Sequence, residues 1–421
     1  MRIAIIALGS RGDVQPHVAL GVGLRRAGHA VRVVTSSDFA DLVRAHGLEF
    51  CDTGVSTEAI ANEMHDLLEA GNVLKIMAAM GASAERVAVQ AATTGLSACE
   101  GSDGIVSGLG GLFVAYALAE KLAVPFMPAY LYPFAPTGEL PGVLTPVPQT
   151  PLTTWANAPS HRITQQLLWQ PSRSADVAVR EQVLGLEPSG FWGPFAAMEG
   201  ADALSLYGYS QHVIPVPRDW PPQNHVTGYW FLEPSAEWRP PAELVAFLEA
   251  GPPPVYIGFG SMGSKNPEAT ADMVLEALRR TNQRGVLSTG WGGLKTNDLP
   301  DSVFMVGSIP HAWLFPRMAA IVHHGGAGTT AAALSAGVPS IVTPVMGDQS
   351  FWARRVSDLG VGPRSVPRRQ LTVERLSRAI ETAISDEPMR AQSAALGEQI
   401  RAEDGTSVAV RLIEQWMQRS P

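Results

Sequence analysis

Short apolar runs alternate with helix-forming stretches along almost the whole chain. Residues 2–8, rich in Ile, read as a buried strand that stops at Gly9. A helix follows from about Val14 or Pro16 to Ala27, Gly28 caps it, and residues 30–35 form a second strand. A strand–helix–strand unit of this length opens a doubly wound α/β domain. The alternation continues through a helix at 41–46, a strand at 48–50 and a mainly helical stretch at 57–98. Strands at 104–106 and 125–127 flank a helix at 113–122; a helix at 163–183 and strands at 203–207 and 226–228 follow. Residues 133–161 break the period. They are rich in Pro and Thr, and a stretch that long without elements of its own reads as a lid or binding loop.

Prolines 234, 240, 241 and 252–254 surround one short helix at 242–249, and the alternation then starts afresh with a strand at 255–259. A helix at 267–281, with Asn266 as its cap, strands at 285–288 and 303–306, and a helix at 312–316 continue it. Helices at 372–385, 388–403 and 406–419 end the chain. The predicted organisation is an N-terminal Rossmann-like domain over 1–232, a linker over 233–254, a second Rossmann-like domain over 255–404 and a terminal helix over 405–421. Two such domains place a binding site in the cleft between them.

The most informative stretch lies in the second domain. An apolar strand at 319–322 runs into His323-His324-Gly325-Gly326-Ala327-Gly328, a helix starts at Thr329-Thr330 and stops at Gly337, and a strand at 339–342 leads to Gly347-Asp348-Gln349. In strand–glycine turn–helix order, backbone N–H groups converge on one spot that favours a phosphate or diphosphate. Alternate strand residues face opposite ways, so one histidine can face a ligand while the other packs; His323 is assigned the ligand role. Asp348 and Gln349 offer acceptors and a donor suited to sugar hydroxyls.

Other patterns narrow the chemistry. Gly258-Phe259-Gly260-Ser261-Met262-Gly263 spells G-x-G-x-x-G after a strand, but Ser288-Thr289-Gly290 stands where a nicotinamide enzyme needs an acidic residue for the ribose. A dehydrogenase is disfavoured; the turn is either purely structural or one in which Ser261 can donate a hydrogen bond to a phosphate. No Walker motif, G-x-S-x-G or Asp-x-Asp occurs, the last disfavouring a nucleotide-sugar enzyme that relies on carboxylate-held metal. Asp13, in the first strand-to-helix turn, is either a helix cap or a general base facing the cleft; His17, one turn on, reads as a supporting residue.

The chain has 421 residues, 46% hydrophobic and 17% charged, with a net charge of −8. This describes a soluble globular protein without a basic nucleic-acid-binding face. Cys51 and Cys99 have no metal-type spacing, and no signal peptide or membrane span is evident, so a cytoplasmic protein is expected.

Gly9-Ser10-Arg11-Gly12-Asp13-Val14-Gln15-Pro16, the His323–Thr330 run, Pro310-His311-Ala312-Trp313-Leu314-Phe315 and Gly347-Asp348-Gln349 resemble the signatures of the family 1 glycosyltransferases. The bacterial natural-product (antibiotic) members and the sterol glucosyltransferases are nearest in appearance. The resemblance implies a GT-B fold, with the acceptor on the first domain, the nucleotide sugar on the second, and the terminal helix crossing back to the first. It implies metal-independent, inverting transfer of a hexose or deoxyhexose from a UDP- or TDP-sugar to a hydroxyl, with no further cofactor. On the same resemblance Asp13 matches the general base and Ser10 a residue near the diphosphate or transferred sugar. His323 matches the diphosphate ligand, helped by Ser261 and the backbone at Gly326, Ala327, Gly328 and Thr329. Asp348 and Gln349 match the sugar-hydroxyl pair, and residues 306–311, with Val306, Ile309 and His311, match the segment lining the nucleobase.

Three alternatives differ in what they need. A sugar-nucleotide epimerase would use the same diphosphate turn without an acceptor loop, and a catalytically silent partner of another transferase would carry damaged motifs. Retaining chemistry fits the His-His-Gly-Gly turn less well. The acceptor is expected to be a hydrophobic small molecule such as a polyketide, macrolide, flavonoid or sterol. Met77, Met80, Phe113, Tyr130, Tyr132, Phe134, Trp155, Trp169, Trp192 and Phe195 are the pool from which core and acceptor pocket are drawn. A monomer or homodimer is expected, with no nucleic acid and no integral membrane association.

Overall fold

The computed structural model describes residues 1–56, 73–145, 153–200, 204–259, 267–288 and 299–419. The chain divides into two compact units, one of residues 1–211, 215–232 and 404–421, the other of residues 212–214 and 233–403.

In the first unit, β1 (Arg2–Ile6), α1 (Arg11–Arg26), β2 (Ala30–Thr35), α2 (Ala40–Ala45) and β3 (Glu49–Asp52) are followed by α3 (Val73–Cys99), β4 (Gly104–Ser107), α4 (Leu112–Leu122) and β5 (Phe126–Tyr130). Then come α5 (Asn157–Val177), α6 (Phe195–Gly200), β6 (Ser205–Tyr207) and β7 (Asn224–Val226). The strands form one parallel sheet in the order β3-β2-β1-β4-β5-β6-β7. Chain order reverses between β1 and β4, so the loops after these two strands leave on opposite faces and open a crevice at their carboxyl ends.

The second unit holds α7 (Ala242–Glu249), β8 (Val255–Gly258), α8 (Pro267–Arg280), β9 (Gly285–Ser288), β10 (Val303–Val306), α9 (His311–Leu314), β11 (Ala320–His323), α10 (Ala327–Ala336) and β12 (Ser340–Val342). Helices α11 (Gln349–Asp358), α12 (Val373–Ser385) and α13 (Glu387–Ala402) complete it. Its parallel order is β10-β9-β8-β11-β12, with the reversal between β8 and β11. Alternate residues of these strands feed two cores. Val255, Ile257, Ala320 and Val322 face one with Leu376 and Ile380; Tyr256 and Ile321 face the other with Leu244 of α7 and Phe315. The final helix, α14 (Gly405–Met417), belongs to the first unit and buries Ala409, Val410 and Ile413 among Ile3, Leu20 and Leu24.

Both units are thus α/β, doubly wound and parallel throughout, as the apolar periodicity requires. Several element bounds differ from expectation for local reasons. α1 starts at Arg11 rather than Val14, because Asp13 closes a capping interaction with Ser10. α10 starts at Ala327 rather than Thr329, because Gly326 is its extended N-cap. α5 starts at Asn157, so the expected loop ends earlier. The inward residues at its start are polar and hold residues 138–145: Asn157 Nδ2 donates to the Gly138 carbonyl, Ser160 Oγ accepts from Gly142 N–H, and the His161 ring reaches the Leu140 carbonyl. The backbone after α5 widens into a π-helical turn that ends at left-handed Gly185. α11 has no counterpart in the apolar pattern, and the cap expected at Asn266 lies outside the described residues.

Of the aromatic pool, Tyr130, Phe134, Trp169 and Phe195 are core, whereas Trp155 and Trp192 lie in solvent at 77% and 70% exposure. The side chains of Met77 and Met80 lie outside the described residues. No helix among the described residues is long and apolar enough to cross a membrane.

Candidate active site

In the first unit the turns after β1 and β4 flank a small recess at the point where the strand order reverses. Asp13 lines it with His17, Gly110, Leu131 and Tyr132. Ser10 precedes α1 in extended conformation, and Asp13 occupies the third position of the helix. One carboxylate oxygen, Oδ2, accepts both the Ser10 N–H and the Ser10 hydroxyl at 2.8 Å. Burial raises the Asp13 pKa; the two Ser10 donors and the nearby His17 ring pull it back without cancelling the effect. A half-buried carboxyl with a raised pKa, held from one side, is a stronger base than an ordinary carboxylate. Ser10 itself is spent on Asp13, so its contact with any phosphate would be additional to this bond.

In the second unit β11 pairs with β8 so that His323 lies opposite Gly258, again where the strand order reverses. His323 is fully buried on the side of the sheet that carries Ile321. Its Nδ1 accepts the Gly325 N–H at 3.1 Å, and its Nε2 is buried without a partner. Burial, reinforced by His324 and His311, takes its pKa down to about 3. The ring is therefore neutral, and with Nδ1 accepting, its single proton sits on Nε2. Gly325 can turn the chain here because it sits at φ +92°; a Cβ would lie 2.6 Å from Val342 Cγ1. Gly326, Ala327, Gly328 and Thr329 follow as N-cap and first turn of α10, presenting N–H groups that a helix cannot satisfy internally. His324 packs over Gly326, whose Cβ would lie 2.6 Å from its Nε2, and its Nδ1 is likewise buried without a partner.

His311 stacks on Phe315 with ring centroids 4.2 Å apart and meets Tyr256 edge-on. Its effect on the His323 pKa places the two histidines within electrostatic reach. Ile309 packs on the same core. Val306 is 4% exposed, so its side chain serves that core. Asp348 and Gln349 are built into structure: Asp348 Oδ2 accepts the Trp352 indole N–H at 3.0 Å, and Gln349 Oε1 accepts the backbone N–H of Val345 at 2.8 Å and of Met346 at 3.3 Å. They order the turn before α11. Ser261 lies outside the described residues. Among the described residues no three His, Cys, Asp or Glu side chains cluster as metal ligands. On the far wall of the recess Tyr132, after β5, comes from the expected aromatic pool, whereas sequence reasoning missed its neighbour Leu131 and Gly108 to Gly110 after β4; the glycine-rich run at 108–111 is the local signal for the latter.

Residues 3–141 match the Glycosyltransferase family 28 N-terminal domain, and residues 267–415 match the C-terminal domain described as Erythromycin biosynthesis protein CIII-like. The chain is 37% identical to a sterol 3-beta-glucosyltransferase of Arabidopsis thaliana, over 97% of this chain and 67% of that protein. A second from the same plant is 35% identical over 98% of this chain and 65% of its own length. The sterol 3-beta-glucosyltransferase of Leptosphaeria maculans is 33% identical over 100% of this chain and 29% of its own length. The chain thus spans about two thirds of the plant relatives and under a third of the fungal one. Among solved structures, the glycotransferase of kitacinnamycin matches with a TM-score of 0.72 at 19% identity, over 99% of each chain. The glycosyltransferase SnogD from Streptomyces nogalater matches at 0.66 and 22%, again over 99% of each. At these identities the structural matches speak for the fold.

Proposed function

Because this chain belongs to the family 1 glycosyltransferases of GT-B fold, alongside the sterol 3-beta-glucosyltransferases, we propose that it glycosylates a hydroxyl of a hydrophobic acceptor, with a sterol as the leading class. The donor is a UDP- or TDP-linked hexose or deoxyhexose, and transfer is inverting and metal-independent. The observation that carries the acceptor class is the 37% identity along 97% of the chain to a sterol 3-beta-glucosyltransferase.

The chemistry follows from the two half-sites. The acceptor oxygen attacks the anomeric carbon as the bond from that carbon to the diphosphate oxygen breaks. The hydroxyl proton passes to the Asp13 carboxylate, whose raised pKa favours its capture. The bonding electrons leave with the diphosphate, whose growing charge meets the His323 Nε2–H and the N–H groups at the start of α10. These donors are in place beforehand, and their interaction strengthens as charge develops. Asp348 and Gln349 fit the hydroxyls of the transferred sugar.

Incubation with UDP-glucose or TDP-glucose and a panel of sterols, macrolides and flavonoids, read by mass spectrometry in the presence of EDTA, tests the proposal. A sterol hexoside formed with β linkage from an α-linked donor is expected. A hexoside of a macrolide or flavonoid but no sterol would overturn the acceptor class. A new sugar nucleotide formed without acceptor would replace transferase by epimerase, and loss of all activity in EDTA would refute metal independence.

A further inference from the structure

Beneath Asp13 lies a buried side chain that the mechanism above leaves unused. His17 is 1% exposed, one helical turn after Asp13. Its Nδ1 lies 2.6 Å from the backbone carbonyl of Asp13, and its Nε2 lies 3.2 Å from the carbonyl of Ala129 near the end of β5. Its ring meets Trp230 edge-on at 5.9 Å. Room for the ring exists because the residue after β4 is Gly108: a Cβ there would stand 2.5 Å from Cε1 and 2.8 Å from Nε2. A side chain that only filled space would not need its two ring nitrogens set against carbonyls of two different elements, to either of which its N–H can donate.

We propose that His17 is a positioning residue for the transfer, pinning the first turn of α1 to the end of β5 and so holding the Asp13 carboxylate against the Leu131–Tyr132 wall of the recess. This rests on Asp13 being the base. Leu131 and Tyr132 follow Ala129 directly in the chain, so the His17 bridge joins the base to the wall that an acceptor would contact. The groups around the ring are few. Asp13 on α1 is the charged one, and Tyr132 after β5 carries a phenol; the Gly108–Gly110 turn and Trp230 add no titratable side chain. Burial lowers the His17 pKa, outweighing the Asp13 carboxylate and the two carbonyl oxygens that favour a second proton. Any positive charge the ring gains favours the Asp13 carboxylate.

His17→Phe keeps an aromatic of similar shape and removes both contacts. Its kcat should fall about 10²-fold, the scale of a misplacement near 1 Å, with the affinity for UDP or TDP unchanged. The acid limb of kcat/KM should move to higher pH. His17→Gln, which can still donate to a carbonyl, should recover part of the loss. Gly108→Ala, which displaces the ring without deleting it, should reproduce the kinetic signature if His17→Phe does not fold. Asp13→Asn is measured alongside. Asp13→Asn at wild-type turnover would refute the base itself. An inactive Asp13→Asn beside a folded His17→Phe or Gly108→Ala with wild-type kcat and an unmoved pH profile would overturn the role of His17 alone.

Discussion

His323 Nδ1 takes the backbone N–H of Gly325 at 3.1 Å, and this contact decides which proton the ring can offer. The neutral ring must carry it on Nε2, an atom buried without a partner. His323→Ala should therefore weaken binding of UDP or TDP about 10- to 100-fold, in line with the roughly 1.5–3 kcal/mol of a hydrogen bond to a charged group. Calorimetric titration of both nucleotides reads this directly; an unchanged Kd for each would remove His323 from the donor site.

The same burial couples His323 to pH. Its pKa falls from 6.5 to about 3. Between those values the unfolded chain binds a proton that the folded chain excludes. The stability contributed by the neutral ring is complete above about pH 6.5 and is lost as pH falls toward 3. Melting temperature followed across that window should decline in the wild type and decline less steeply in His323→Gln, which does not titrate. Parallel curves would mean that the ring is not held neutral.

Asp13→Ala should lower kcat about 10²–10⁴-fold, the usual contribution of a general base, and leave nucleotide binding intact. Because burial raises the Asp13 pKa, wild-type kcat/KM should climb with pH through a midpoint above the ordinary carboxylate range. Below it the carboxyl is protonated and cannot accept. A pH-independent rate from pH 4 to 7 would exclude Asp13 as the titrating group.

Gln349 should show a stability cost separable from its proposed part in sugar binding. Gln349→Ala strips the acceptor from the Val345 and Met346 N–H groups and should cost about 1–3 kcal/mol in denaturant unfolding. Gln349→Glu keeps an acceptor at the same place and should retain most of the stability while altering the preference among donor sugars. If both variants unfold like wild type, the side chain does not order this turn.

Much of the site was legible because it is written in short-range chemistry. Buried parallel strands appear as apolar runs, and the turns after β1 and β11 carry the Ser10–Asp13 pair and the His323–Gly328 run within a few residues. Where helices begin was less legible: α1 and α10 start two or three residues early because capping at Ser10 and Gly326 outweighs propensity. The start of α5, before the helix expected from residue 163, was obscured because its inward side chains there are polar and bond a loop instead of filling a core. Trp155 and Trp192 were misplaced for the mirror-image reason, since aromatic character alone does not say which side of an element meets solvent.

The order of residues by itself determined two doubly wound α/β units, a glycine-rich turn opening a helix in the second and a carboxylate at the first turn of the first. Each is a consequence of periodicity or of spacing within one turn. Only tertiary structure decided the protonation chemistry. The free nitrogen of His323 depends on a left-handed glycine folding back and on burial under the sheet. The surroundings of Asp13 depend on His17 meeting Ala129, 112 residues away in the chain. Hydrogen-bond partners and desolvation are properties of neighbours in space, and the strand order that brings them together is not readable from any one stretch of sequence.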